Sequence, residues 1–270
     1  MIKRCITGAC LIAVVTAFFF LREVHIAFFT GFIGFLSVLA TFEFTRALGE
    51  RIRPLHKYTA IAFALSVAPL FHFFSVLGVT YAFMGLAVLQ LLFAVVLNAE
   101  IESFAYGVSA MVYPTLFVGS MLILNALPAN STLALLMVFV VSSFADTFAY
   151  LVGSLLKGKK LCPTISPNKT ISGAIGGLAG GAVGALVLYF IFKKSFVYAG
   201  AIPAWVLIML IGTVCAFLTE VGDLAESVCK RKLGVKDMGK LLPGHGGIMD
   251  RIDGMMFSSV FLAFAFTLFI

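Results

Sequence analysis

Charge is what this sequence has least of. Its 19 Lys and Arg and 12 Asp and Glu make up only 11% of 270 residues, where a soluble domain carries roughly a quarter. That shortage excludes a water-faced globular body, a disordered chain and a coiled coil. Cysteine is sparse as well. Cys5, Cys10, Cys162, Cys215 and Cys229 are odd in number and form no Cys-x-x-Cys pair, which excludes a disulfide scaffold or a zinc ribbon and leaves them as small apolar fillers. No Ser-His-Asp or Cys-His set stands out among the four histidines. What the chain has in excess is apolar side chains, 61% of the total with a mean hydropathy of +1.11, and that is the composition of a membrane protein.

About 20 apolar residues cross the roughly 30 Å hydrocarbon layer. Cutting the chain at its charges predicts nine spans near residues 5–21, 24–42, 59–77, 79–98, 103–124, 132–156, 171–192, 202–222 and 254–270. Between Lys57 and Glu100 no residue is charged; as one helix this stretch would be about 63 Å long, so it has to turn back on itself, around Ser75 to Thr80. Asn125 to Ser131 marks a second turn. Spans in lipid satisfy their own backbone groups, which predicts an all-α polytopic membrane protein. The division expected is residues 1–130 as an N-terminal helical scaffold, with possible dimer contacts, and residues 131–270 as a catalytic region with cytoplasmic loops.

Nine crossings sort the basic residues by side. Lys3, Arg4, Arg46, Arg51, Arg53, Lys57, Lys157, Lys159, Lys160, Lys169, Lys230, Arg231, Lys232, Lys236, Lys240 and Arg251 fall on the side of the N-terminus, and only Arg22, Lys193 and Lys194 on the other. The positive-inside rule then puts the N-terminus in the cytoplasm. The first apolar run ends in Phe18-Phe-Phe-Leu-Arg22 without a small-residue cleavage site, so it is read as a retained span and not as a signal peptide.

Polar residues are unevenly placed. Glu23, Glu43, Glu50, Glu100 and Glu102 lie near predicted span ends and are expected to face water or headgroups. From Asp146 onward acids, lysines and glycines collect in three clusters. Asp146, Tyr150, Gly153 and Lys157 share a helical face, with Asp146 about 16 Å below the cytoplasmic surface, a depth at which a carboxylate is by default functional. Gly153-x4-Gly158-Lys159-Lys160 is not a P-loop, because Lys stands where Ser or Thr is required and a helix precedes it. In the second cluster Glu220, Asp223 and Glu226 are successive turns of one helix and need a cation, either Mg²⁺ or nearby lysines. In the third, Pro243-Gly-His245-Gly-Gly247 allows backbone N–H groups to approach a phosphate, and Asp250 and Asp253 follow one turn apart near a helix N-terminus. Glycines 173, 177 and 181, and 176, 180 and 184, mark close helix approach, through packing or dimerisation.

Carboxylates from separate segments, with basic residues beside them and a glycine loop between, suit phosphoryl or nucleotidyl transfer, where two polyanions have to be brought together. The run Ser227-Val-Cys-Lys230-Arg231-x4-Lys236-Asp237-x-Gly239-x2-Leu242-Pro243-x-His245-Gly-Gly-Ile-x-Asp250-Arg251-Ile-Asp253 resembles the signature of the phosphatidate cytidylyltransferase (CDP-diacylglycerol synthase) family. Gly222-Asp-Leu-x-Glu-Ser227 and Ser166-Pro-Asn-Lys-Thr170 resemble that family too, so the likeness covers about residues 146–254.

The resemblance implies an integral enzyme of the bacterial inner membrane, with its site facing the cytoplasm. It would make CDP-diacylglycerol and pyrophosphate from CTP and phosphatidic acid, with Mg²⁺, with K⁺ as a possible second cation, and as a homodimer; no nucleic acid partner is expected. It points to Asp223, Asp250, Lys169 and Arg251 as catalytic. Metal ligands are expected from Asp223 and Asp250, with Asp146, Glu226 and Asp253 beside them. Substrate contacts are expected from Ser166, Pro167, Asn168, Lys169, Thr170, Lys230, Arg231, His245, Gly246 and Gly247. Three rivals make different demands. A CTP-dependent polyprenol or lipid-alcohol kinase would release CDP. A CDP-alcohol phosphotransferase would need two more aspartates after Asp253, and none follows. An ion-coupled transporter would show repeated halves, whereas the charged residues here crowd into one.

Overall fold

Long apolar runs fold as helices here because only a helix pairs every backbone group within its own segment. The computed structural model describes residues 2–98 and 100–270, with side chains from Cys5 onward. Among these are eight helices long and apolar enough to cross a bilayer: α1 (Ile2–Val24), α2 (Ile26–Leu48), α3 (Pro54–Val96), α4 (Ile101–Asn125), α5 (Ser131–Leu156), α6 (Ile171–Phe192), α7 (Ala204–Leu233) and α8 (Met249–Leu268). Outward side chains such as Phe20, Leu155 and Val96 are apolar and exposed, as a lipid surround requires. The protein is an all-α polytopic membrane protein. One addition was not expected: a short antiparallel hairpin, β1 (Lys160–Cys162) and β2 (Ser166–Thr170).

Helix α3 is where the sequence demanded a turn, and it has one. Ser75 has φ 59 and ψ −156, which is not helical. The rings of Phe63 and Phe83 are 5.8 Å apart, whereas 20 residues of straight helix would separate them by about 30 Å. The chain therefore reverses at Ser75 into two antiparallel legs, 54–74 and 76–96, each long enough to span. Helix α4 carries a different irregularity. Pro114 has no N–H to donate, so Met111–Leu116 loosens into a π-helical turn. The Ala110 carbonyl is satisfied by the Thr115 hydroxyl at 3.0 Å, and Thr41 from α2 bonds that same hydroxyl at 2.7 Å.

The chain forms two compact units, each discontinuous in sequence. The first takes in the residues up to Leu122 together with Leu233–Arg251; the second is Ile123–Lys232 with Ile252–Ile270. Leu233–Arg251 thus groups with the N-terminal helices. The reason is polar. The Thr7 hydroxyl donates to the Pro243 carbonyl at 3.1 Å, and the Glu43 carboxylate accepts the Met249 N–H at 2.9 Å.

Inside the first unit α2 meets the first leg of α3 closely, because Gly34 lies where any methyl would overlap Ala68. Inside the second, the glycines of α6 act in packing, one of the two roles their spacing predicted. Gly176, Gly180 and Gly184 receive Val152, Phe148 and Phe144 of α5, and Gly181 lies against Ala216 and the Gly212 carbonyl of α7.

Candidate functional site

The second unit gathers most of the predicted acids. Helix α6 is capped by Thr170, whose hydroxyl accepts the Gly173 N–H at 3.1 Å, so the end of β2 is pinned to the helix start. Lys160 pairs with Thr170 and Cys162 with Ser166. Residues 167–169 thus bulge opposite Leu161, a geometry that Pro167 tolerates because it has no N–H to lose and that re-aims the side chain of Lys169. The Lys169 ammonium reaches Asp223 of α7 at 2.6 Å. Glu220, one turn earlier on α7, lies within electrostatic range of both. Gly177 makes room for it, since a methyl there would come within 2.6 Å of the Glu220 carboxylate.

Close crossing of α7 and α8 brings in the next acid. Gly222 packs on the Asp253 carbonyl and Gly254 on the Thr219 carbonyl, and this approach puts Asp253 within range of Asp223, Glu226 and Lys230. Glu226 is fully buried and held by Lys230 at 2.5 Å. Lys230, expected on substrate phosphate, is thus an internal counter-ion here, and Glu226 spends an oxygen on it. Below the acids, the Ser142 and Thr219 hydroxyls bond at 3.1 Å. A cavity of about 680 Å³ opens beside this cluster, lined by Asp146, Tyr150, Gly153 and Lys157, the face predicted from their spacing, and by Lys169 and Glu220 from across it. Asn168 and Thr170 line it as well, while Pro167 is exposed and Ser166 half-buried in β2.

Apart from Arg231, near the end of α7 in the second unit, the remaining predicted residues form a second cluster within the first unit. Leu242 N–H donates to the Gly246 carbonyl and His245 N–H to the Leu242 carbonyl, closing a turn in which Gly244 and Gly246 have φ of 78 and 82, a left-handed conformation that favours glycine. The Asp250 carboxylate, 7% exposed, accepts N–H groups from Met238, Gly239 and Gly247 at 3.0, 3.3 and 2.8 Å. It therefore organises the loop, whatever else it does. Lys236, Lys240, His245 and Arg251 edge a recess of about 600 Å³ in this loop. Arg251 and Arg231 are exposed.

Two acids escaped their sequence roles. Glu220 was visible only as one of three carboxylates on a helical face. Glu43, expected at a water-facing span end, is 5% exposed and turned into the glycine loop. The signal for it was faint: it is the one charged residue between Glu23 and Arg46.

Do these residues fit a divalent cation? Among the described residues no group of three or more His, Cys, Asp and Glu side chains forms a ready-made cage. Asp223 and Asp253 do form a carboxylate pair, and Asp223 is partly exposed. Hard oxygens in that number suit Mg²⁺, which keeps several waters and takes its other ligands from substrate phosphate.

Comparison with known proteins bears on the same residues. Residues 2–269 match the model of the cytidylyltransferase family. The chain is 43% identical over 123 residues to the phosphatidate cytidylyltransferase of Staphylococcus haemolyticus, covering 46% of this chain and 45% of the relative. It is 47% identical over 124 residues to that of Bacillus subtilis, covering 46% and 44%, and 43% identical over 124 residues to that of Brucella abortus, covering 46% and 43%. The matched stretch is thus under half the length of these curated relatives.

Proposed function

We propose, from the premise that the chain belongs to the cytidylyltransferase family, that it transfers a cytidylyl group from CTP to phosphatidic acid, forming CDP-diacylglycerol and releasing pyrophosphate. The observation that carries this reading is the Lys169–Asp223 pair beside Asp253 and Glu220, at the edge of a cavity that also holds Asp146. A lipid phosphate and a nucleoside triphosphate repel each other, and a site for joining them has to supply cations and exclude bulk water.

In the proposed reaction an oxygen of the lipid phosphate forms a bond to the CTP α-phosphorus as the bond from that phosphorus to the pyrophosphate oxygen breaks. The nucleophile is already an anion near neutral pH, its second pKa being about 6, so no strong base is needed. Asp223 and Asp253 would hold Mg²⁺, with Asp250 one turn from Asp253 on α8 and Asp146 as further candidates. When bound, Mg²⁺ supplies charge neutralisation for the attacking and leaving oxygens; K⁺ is a candidate second cation. Lys169 meets a phosphoryl oxygen. Ser166 to Thr170 border the nucleotide or lipid headgroup; His245, Gly246, Gly247 and Arg251 of the glycine loop are candidate contacts for a polyphosphate, as is Arg231 near the end of α7.

The sixteen-to-three division of basic residues supports a cytoplasmic site in a bacterial inner membrane, where both CTP and anionic lipid would be drawn in; assembly as a homodimer belongs to the same proposal. The test is incubation of purified protein with CTP, phosphatidic acid and Mg²⁺, following lipid and nucleotide products. Pyrophosphate and CDP-diacylglycerol are expected. Release of CDP with a phosphorylated lipid alcohol, or lipid flux without CTP turnover, would overturn the proposal.

A further inference from the structure

Helix α8 begins without a cap of its own. Its first N–H groups need acceptors, yet the residues that lead into it, His245-Gly-Gly-Ile248, include no Ser, Thr, Asp or Asn. The acceptor comes from α2 instead: the Glu43 carboxylate takes the Met249 N–H at 2.9 Å. The two residues are 206 positions apart in sequence. A buried carboxylate is expensive unless it is used, and here it meets the positive end of a helix dipole.

Glycine usage in the loop supports the same role. Gly244 and Gly246 need glycine for their positive φ, but Gly239 and Gly247 have no such backbone demand. What they have in common is Glu43: a methyl group on either would overlap its carboxylate. Their N–H groups meanwhile go to Asp250. The loop is thus held between two carboxylates, Asp250 on the N–H side and Glu43 against the α-carbons.

We infer that Glu43 is a positioning residue of the substrate site, an outside cap that sets the conformation in which the 236–251 loop presents Lys236, Lys240, His245 and Arg251 to an anionic ligand. The inference rests on the proposed reading of this loop as part of the nucleotide site. Glu43 touches no reacting atom itself; it acts through the loop.

The test compares Glu43→Ala with Glu43→Gln in the full-length protein, reading amide exchange over 236–249 and steady-state kinetics with CTP. Glu43→Ala should speed exchange there about tenfold and raise KM for CTP about tenfold while kcat changes less than about threefold. Glu43→Gln keeps one oxygen to accept the Met249 N–H and should stay within about threefold of the parent in both readouts. Should Glu43→Ala fail to fold, Gly247→Ala presses on the same carboxylate from the other side and should shift both readouts in the same direction. Unchanged exchange in the Ala variant, or faster exchange with unchanged KM, would overturn the inference. Exchange needs no turnover, so a parent protein that does not convert CTP would sink the proposed reaction and leave exchange alone to judge the cap.

Discussion

Replacing Lys169 by Met keeps most of the length of the side chain and removes its charge, which separates two roles the ion pair with Asp223 combines. The charges are 2.6 Å apart, so Coulomb attraction at an effective dielectric constant of about 20 is roughly 6 kcal/mol. Little of that reaches stability: the two side chains are 24% and 37% exposed, and partly solvated pairs are worth about 1 kcal/mol once screening and side-chain entropy are counted. For a chain of this size that is a loss of about 3 °C in Tm. The catalytic expectation is much larger, because a positive group aimed at developing phosphoryl charge contributes on the order of a hundredfold in kcat. Lys169→Met should therefore unfold within a few degrees of the parent in detergent yet form CDP-diacylglycerol at least about a hundredfold more slowly. A rate loss below about fivefold would mean that Lys169 only neutralises Asp223. A collapse in Tm matching the activity loss would mean that its role is structural.

Two other substitutions separate chemistry from architecture. Asp223→Asn should abolish Mg²⁺-dependent turnover with membrane insertion and thermal stability retained, whereas Asp250→Asn should abolish turnover and also speed amide exchange at Met238, Gly239 and Gly247, whose N–H groups it holds; identical exchange in both variants would contradict this assignment. Gly254→Ala places a methyl 2.8 Å from the Thr219 carbonyl and should cost about 1–3 kcal/mol by forcing α7 and α8 apart, measured as a lowered Tm together with a fall in activity.

Much of the architecture was legible because lipid imposes a length and a charge rule on every span. Residues 171–192 match α6 end to end, and the uncharged run before Glu100 had to double back, as it does at Ser75. Where observed helices outrun the expected spans, they do so through polar residues. Helix α7 continues past residue 222 along the turn that pairs Glu226 with Lys230, and α8 starts at Met249 and not at 254 because Glu43 caps it. Hydropathy cannot see such ends. It also cannot see that a lone acid at the end of α2 points inward, since pattern alone makes Glu43 look like Glu50 or Glu102, both of which are exposed. The 160–170 hairpin was invisible for another reason: strands of 3 and 5 residues leave no period to detect. Asp146, Tyr150, Gly153 and Lys157 were legible as a face because helical spacing alone aligns them.

The hairpin also sets where the chain can change in length. Thr170 is fixed as a helix cap and Lys160 is its partner, so losing or gaining one residue between Ser166 and Lys169 would break the Cys162–Ser166 register and reshape the bulge that aims Lys169. Pro163 and Thr164, exposed at the tip between the strands, carry no such constraint. Lengthening the tip costs only the slow logarithmic entropy of a larger loop. A few residues of drift can thus be absorbed within a short distance of an ammonium group whose aim depends on strict counting.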